Sequence, residues 1–448
     1  MQELLAEAWQ NRKARMRPLP IAFVNTARNH PFRFAMADAQ NARVSFGAAL
    51  VRSVFLARRL RKIWSGQRMV GLLLPPSVPG ALVNHAALLL GKVPVNLNYT
   101  VSEEVLASCA KQCDLKTVVT SKVVLDRLKL KLPCETVFLE DLVGASGGAG
   151  GPLPAAAPQT DERRARSNAP YPVAKFGPPG FGERLAAFLI AWFVPDRWLQ
   201  QLVGAERRTQ LDDLATVIFS SGSTGDPKGV MLSHYNIGSN IEQLEQVFGL
   251  DRQDGLLGIL PFFHSFGFTG TLCLPAVLGV GMVYYPNPLD AKSIGPLVRQ
   301  HRITFLLATP TFLQLYLRGC SAEDFGSLRV VMTAAEKLPD RLAAAFEERF
   351  GIRPLEGYGC TECAPAVAVN THDFRAAGFR QIGAKRGKIG HPLPGVSVKI
   401  VDPETREPLG IGQPGLMLVN GPNVMLGYLG KPEKTAEVLL GAPASCRP

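Results

Sequence analysis

Short apolar runs alternate with amphipathic stretches along most of the chain. Residues 68–74 (RMVGLLL), apolar after Arg68 and closed by Pro75 and Pro76, predict a buried strand. Residues 81–90 read as a helix, and 92–97 as a short strand after Gly91. Residues 117–120 (TVVT) add a β-branched run. The rhythm resumes after Leu211, with a strand predicted over 217–219. Ser233 is placed to cap a helix whose apolar face is Ile237, Ile241, Leu244 and Phe248. Residues 302–308 and 329–333 read as strands, and Leu342, Phe346 and Phe350 line one side of a helix. From Lys388 onward, segments punctuated by Pro and Gly, such as VSVKIVD and GLMLVNG, alternate without helices. The pattern predicts an α/β protein: two doubly wound, mostly parallel sheet subdomains over 1–387, then a small β-barrel-like subdomain over 388–440.

Three stretches break this rhythm. Residues 144–170 are rich in Gly, Ala and Pro without hydrophobic periodicity, and read as a low-complexity insertion or flexible linker. Residues 181–203 (FGERLAAFLIAWFVPDRWLQQLV) contain an apolar run too short for the ~20 residues that span a bilayer. Two Trp and neighbouring Arg suit an interfacial helix at a membrane surface; the alternative is a helix packed on its own domain. Residues 441–448 form an atypical tail.

Composition narrows the partners. With 46% hydrophobic and 19% charged residues, the 448-residue chain has the makeup of a globular protein. A net charge of +12 favours anionic partners such as nucleotides, acidic carrier proteins or anionic headgroups. The basic residues lie in scattered short clusters without an aromatic-rich sheet motif, so nucleic acid is not expected. Eight cysteines in a chain this long do not form a disulfide framework. Cys360 and Cys363 make a CxxC, but no second CxxC or nearby His pair completes a zinc site. The N-terminal stretch carries acidic residues and has no apolar core of leader length, which predicts a cytoplasmic protein, with peripheral contact at the inner membrane face as a candidate.

The chemistry concentrates in TVIFSSGSTGDPKGVMLSH, residues 216–234. Its glycines let the backbone approach phosphate closely, and its N–H groups and hydroxyls can bind phosphate oxygens. A Walker A loop would place Gly-Lys-Ser/Thr directly before a helix. Here Pro227 and Lys228 follow Gly225 and Asp226, so the P-loop reading fails on spacing.

The string closely resembles the signature of the adenylate-forming (AMP-binding) superfamily. ILPFFHSFG, LLATPTF, TAAEKLP, EGYGCTECAP and GPNVMLGY follow in that family's order. Within it, PNPLDAKSIGPLV, LLATPTFLQLYLR and RPLEGYGCTECAPAVAVN look most like bacterial long-chain fatty acid–acyl carrier protein ligases. That group is often fused to a 2-acylglycerophosphoethanolamine acyltransferase, a domain not expected in residues 1–448. The resemblance implies ATP-dependent activation of a fatty acid to acyl-AMP, followed by transfer to a thiol of acyl carrier protein or CoA.

It also implies roles for individual residues. Ser220, Ser221, Gly222, Ser223, Thr224, Gly225 and Lys228 would hold the ATP phosphates, and Thr224 and Glu362 the Mg²⁺. Tyr358 and Gly357 would face the adenine, with Ala334, Ala335 and Glu336 opposite. Thr361 would contact the α-phosphate, so that Cys360 and Cys363 merely flank a working Thr-Glu pair. Phe263, His264, Phe266 and Gly267 would line an acyl channel, although a lone His among aromatics is more often a packing residue.

The family pattern continues with a ribose-binding Asp, a hinge and a mobile C-terminal domain carrying a catalytic lysine. This sequence reads APASCRP after EVLLG instead. A chain without that lysine is expected to be impaired in turnover more than in binding. The alternative is a non-catalytic nucleotide- or acyl-binding remnant.

Overall fold

The computed structural model describes residues 9, 11–143, 178, 180–220 and 226–440. The predicted insertion over 144–170, the tail over 441–448 and Ser221–Gly225 of the phosphate loop lie outside the described residues.

Apolar runs with no polar alternation become strands covered on both faces, as parallel sheets require. Val330–Thr333, Phe305–Ala308, Gly281–Tyr284 and Thr117–Thr120 are buried at every position. The largest sheet has nine strands. Its parallel centre runs in spatial order Leu355–Gly359, Val330–Thr333, Phe305–Ala308, Gly255–Gly258, Gly281–Tyr284 and Phe34–Ala37. Antiparallel strands close both edges: Ala366–Val369 with His391–Pro392 on one side, and Val44–Ser45 on the other. A second, wholly parallel sheet orders Val93–Asn96, Met69–Leu72, Thr117–Thr120 and Glu135–Phe138. The α/β expectation with parallel-rich sheets holds.

Between the sheets, the helix Val78–Leu89 is buried on nearly all sides, its Asn84 and His85 included. It packs against Leu19–Asn29, Phe46–Leu60 and Val93–Asn96. It begins three residues before the predicted 81–90 because Ser77 Oγ accepts from the Gly80 amide and Pro79 occupies the first turn. The strand predicted from 302 starts at Phe305. Arg302, with φ +49°, is the left-handed cap that ends the helix Ala291–His301.

The hydroxyl-rich loop sits in an antiparallel hairpin. Leu214–Ser220 pairs with Lys228–Ser233, in register from Leu214 opposite Ser233 to Ser220 opposite Lys228. Lys228 thus opens a strand and not a helix, which fits the rejection of a P-loop. Ser233 then caps the helix His234–Phe248 as predicted: its Oγ accepts from the Asn236 amide at 3.1 Å, and Asn236 Oδ1 accepts from the Ser233 amide at 2.9 Å.

Residues 388–440 depart in part from the helix-free expectation, since Pro432–Val438 is helical. Pro432 in the first turn and the cap at Thr435 O permit it. Of the strands there, Ser397–Val401 pairs with Leu416–Asn420, while His391–Pro392 joins the nine-stranded sheet. Gly427–Tyr428 pairs with Lys228–Ser233.

The apolar stretch 181–203 forms two helices, Phe181–Phe193 and Asp196–Val203, broken at Pro195. Ala187, Ile190 and Ala191 face the core. Arg28 ties the break down: it donates to Ala191 O at 2.9 Å and Val194 O at 2.7 Å, and pairs with Asp196 at 2.7 Å. Among the described residues no helix is long and apolar enough to cross a membrane.

Candidate active site

Side chains at the carboxyl ends of adjacent parallel strands share one crevice by construction, and open α/β sheets bind ligands there. Three such ends deliver sequence-predicted residues: Gly255–Gly258 leads into Phe263 and His264, Val330–Thr333 into Ala334–Glu336, and Leu355–Gly359 into Thr361 and Glu362. A fourth, Phe305–Ala308, leads into Thr309 and Thr311, which the sequence does not single out.

The Thr361–Glu362 pair sits on a single 3₁₀ turn, Thr361–Cys363. Just before it, Gly359 has no room for a side chain: a Cβ there would lie 2.1 Å from Pro365 O. Ser265 Oγ donates to Thr361 Oγ1 at 3.3 Å, and Tyr428 OH donates to Glu362 Oε1 at 2.8 Å. Burial, together with that bond, pushes the Tyr428 phenol well above its ordinary range. The Lys228 ammonium stands 5.3 Å from the centroid of the same ring. One tyrosine therefore touches both the predicted metal-binding carboxylate and the predicted phosphate-binding lysine.

The segment that supplies Tyr428 also fastens the site. Met425 N donates to Glu362 O at 2.7 Å, and Asn423 Nδ2 donates to Cys363 O and Ala366 O, both at 2.9 Å. Leu426 and Leu429 continue onto Met231 and Gly229 of the loop hairpin. Lys431 Nζ reaches Asp226 Oδ2 at 3.1 Å and Pro227 O at 3.2 Å, while Ser108 Oγ holds the other oxygen of Asp226 at 3.0 Å. Asp226 is consequently held below the usual carboxylate range, chiefly by its hydrogen bonds from Lys431 and Ser108.

Next to this turn, Tyr358 is 37% exposed, presenting part of an aromatic ring to solvent. Ala335 takes φ +73°, a conformation non-glycine residues seldom adopt. Glu336 Oε2 accepts from Thr311 Oγ1 at 2.7 Å, which links the ends of two strands. At Gly357 a Cβ would come within 2.8 Å of Met332 Cε.

Phe263 is buried, edge-on to Tyr99 at 4.9 Å, and His264 stacks obliquely on Phe263 at 4.8 Å. His264 reaches the surface, yet enough protein surrounds the imidazole for desolvation to lower its pKa, which favours the neutral ring. Phe266 lines an apolar cavity of about 20 Å³ with Gly270, Leu274, Leu307, Met332 and Pro365. That volume is near one water, far below the several hundred Å³ of a typical ligand pocket. Gly267 is not among its lining residues; a Cβ there would lie 2.0 Å from Pro261 O, so close backbone packing explains the glycine. A wider depression of about 820 Å³, bordered by Lys13, Arg17, Arg208 and Tyr235, shares no residue with the crevice.

Cys363 is buried, and its hydrogen bond with Cys360 together with burial pushes its thiol far up. Among the described residues no group of three or more His, Cys, Asp or Glu side chains is arranged to hold a metal ion. The structure therefore brings together Ser220, Lys228, Thr361, Glu362 and the strand ends carrying Ala334–Glu336 and Gly357–Tyr358. Ser221, Gly222, Ser223, Thr224 and Gly225 fall outside the described residues. Tyr428, Asn423, Lys431, Ser265 and Thr311 were missed. Most lie in or beside the quoted motifs, but the strings alone do not say which side chains point at the turn.

A model for the AMP-binding enzymes matches residues 23–429. The chain is 36% identical to a feruloyl-CoA synthase of Amycolatopsis sp. over 232 residues, 51% of this chain and 45% of that one. It is 33% identical to a long-chain-fatty-acid–CoA ligase of Escherichia coli O157:H7 over 233 residues, 51% of this chain and 40% of that one. The chain thus spans less than half the length of these curated relatives. In fold it resembles apo MatB from Rhodopseudomonas palustris, with a TM-score of 0.68 and 24% identity over 93% of this chain and 73% of that one. MatB has also been solved with ATP bound. This chain belongs to the AMP-binding enzyme family.

Proposed function

We propose that the chain activates a carboxylic acid with ATP and passes the acyl group to a thiol. A carboxylate oxygen attacks the α-phosphorus, the bond to pyrophosphate breaks, and acyl-AMP forms. The thiolate sulfur, its proton lost to solvent or a base, then attacks the acyl carbon and expels AMP. The observation that carries this reading is the convergence of Glu362 and Lys228 on Tyr428 beside the Thr361 hydroxyl.

An anionic carboxylate must approach an anionic phosphate, so positioning and charge neutralisation supply most of the catalysis. In this proposal Lys228 and the loop Ser220–Gly225 hold the β- and γ-phosphates that leave, and Thr361 orients the α-phosphate. Tyr358, Gly357 and the Ala334–Glu336 segment bracket the adenine. One carboxylate, Glu362, with no all-protein cluster among the described residues, fits Mg²⁺, which binds through a carboxylate or two plus substrate phosphates. Glu362 and Thr224 would hold it, and it would supply charge neutralisation at the phosphates. His264 and Phe263 border the acyl and thiol path, and the catalytic groups fall within 1–387, with 388–440 fastening them from outside.

The relatives' names support an acid and CoA as substrates; acyl carrier protein, the acceptor suggested by sequence resemblance, is the alternative thiol. A long-chain fatty acid requires Phe266 and its neighbours to open the 20 Å³ cavity or the chain to take another path. The test is acid-dependent ATP–pyrophosphate exchange by residues 1–448, comparing palmitate with a short aliphatic and an aromatic acid. Exchange above the acid-free background that disappears in Glu362→Gln is the expected result. Absence of exchange with all three acids, from folded protein that binds ATP, overturns the catalytic reading and leaves a nucleotide-binding module.

A further inference from the structure

The paired helices Phe181–Phe193 and Asp196–Val203 carry more apolar surface than their packing uses. One stripe of the first, around Ala187, Ile190 and Ala191, is buried. The opposite stripe carries Phe181, Leu185, Phe188, Leu189 and Phe193, of which Phe181 is 81% and Phe193 72% exposed. The second helix buries Leu199 and Val203 but exposes Trp198 and Leu202, 52% and 49%. Scattered exposed apolar side chains are ordinary on a soluble surface; a contiguous stripe of large ones is not. Phe188 lies against the rings of both Trp192 and Phe193, at 6.4 and 6.5 Å between centroids, so the aromatic side chains at the end of the first helix form one cluster.

Its charge is one-sided. The segment's two acidic side chains are each paired with an arginine, Glu183, whose side chain is 52% exposed, with Arg59 at 2.9 Å and Asp196 with Arg28 at 2.7 Å. Arg184 and Arg197 are exposed, the latter lying over the Trp198 ring at 4.7 Å. Arg58 approaches Leu202 O at 3.5 Å, and Arg61 borders Gly204. Aromatic and aliphatic side chains on one face, rimmed by arginines, match the headgroup–acyl boundary of an anionic bilayer.

We infer that this helix pair docks the protein on an anionic lipid surface, with the stripe Phe181–Phe193 and Trp198 entering the interface and Arg184 and Arg197 meeting headgroup phosphates. This inference is independent of the acyl-activation reading. Trp192 is not the residue to probe: its indole Cζ2 lies 2.9 Å from where a Cβ on Gly47 would be, so it belongs to the internal packing.

The test is co-sedimentation of the full chain with phosphatidylcholine vesicles, with and without phosphatidylglycerol. The unmodified chain should bind the phosphatidylglycerol vesicles more tightly, and added salt should weaken that preference. Phe188→Glu combined with Phe193→Glu should reduce partitioning roughly tenfold to a hundredfold. Arg184→Gln combined with Arg197→Gln should lose about fivefold per arginine, and only with phosphatidylglycerol. Circular dichroism and the thermal midpoint confirm that each variant folds. Should the phenylalanine pair unfold the chain, the arginine pair alone decides. Equal sedimentation of the folded variants and the unmodified chain, or no sedimentation of either, overturns the inference. So does a dimer in sedimentation velocity that Phe188→Glu and Phe193→Glu convert to monomer, since a second copy would then cover the face.

Discussion

Tyr428 connects two side chains whose charges are opposite and whose proposed ligands are different. Its hydroxyl holds Glu362 Oε1 at 2.8 Å and its ring faces the Lys228 ammonium at 5.3 Å, while the tyrosine itself is only 5% exposed. A buried hydrogen bond to a carboxylate contributes about 1.5–3 kcal/mol, which here goes into fixing one oxygen and aiming the other. Tyr428→Phe keeps the ring and its contact with Lys228 but releases the carboxylate. The Mg²⁺ concentration giving half-maximal pyrophosphate exchange should rise on the order of tenfold, with ATP affinity in the absence of metal little changed. A drop in thermal midpoint without a shift in Mg²⁺ dependence would show the bond to be structural only. Lys228→Ala tests the other partner: calorimetric ATP affinity should fall roughly tenfold, the scale of one charge-assisted contact. Unchanged affinity would remove Lys228 from the phosphate assignment.

At the scale of elements, the stretch from Gly421 to Lys431, which includes the strand Gly427–Tyr428, ties the parts of the crevice together. It reaches the Thr361–Cys363 turn through Met425 and Asn423, the loop hairpin through Leu426 and Leu429, and Asp226 through Lys431. Asn236 extends the same fastening to a helix: it completes the cap with Ser233 and its Nδ2 donates to Pro422 O at 2.9 Å and Val424 O at 2.7 Å. The two members of this cap should therefore differ. Ser233→Ala removes a cap, costing about 1 kcal/mol. Asn236→Ala removes cap bonds and leaves two carbonyls unmatched, costing roughly 3 kcal/mol. Denaturant midpoints of both variants check this; equal losses would mean the ties to residues 422 and 424 contribute nothing. This is also where the sequence ceases to be legible. Ser233 was readable as a cap because capping is local, a hydroxyl three residues from the amide it serves. The partners of Asn236 lie more than 180 residues away, and no periodicity encodes them. The strands at 117–120 and 329–333 were readable because burial on both faces leaves a short run dominated by β-branched and apolar residues, whereas Tyr428 and Asn423 lie in a loop-like string whose spacing does not single out the inward-facing residue.

For the whole molecule, burial of ionisable groups sets how stability follows pH. His85 is buried in the helix Val78–Leu89, stacked on Phe23 with centroids 4.4 Å apart. His234, at the start of the helix His234–Phe248, is buried as well, and among the described residues its Nδ1 has no hydrogen-bond partner. Desolvation lowers both to about 4 from an ordinary 6.5, for His234 against an opposing attraction from Asp213. Below 6.5 the unfolded chain takes up protons that the folded one refuses, so acid favours unfolding. The stability these two rings confer is fully present above pH 6.5 and is lost as pH falls through about 4. The loss is on the order of 3 kcal/mol per histidine across that window. Asp213 and Asp254, both held below the usual carboxylate range through hydrogen bonds from Arg207 and Arg329 despite burial, add their losses only in more acid solution. Urea midpoints should accordingly fall between pH 6.5 and 4.5, before those carboxylates protonate. His85→Leu, which keeps an apolar side chain beside Phe23 and cannot protonate, should show a shallower fall over the same window even where its stability at pH 7 is lower. A variant whose midpoint tracks the unmodified protein in parallel would show that His85 protonates in the folded state without penalty, and the acid sensitivity would then belong to His234 or to the carboxylates.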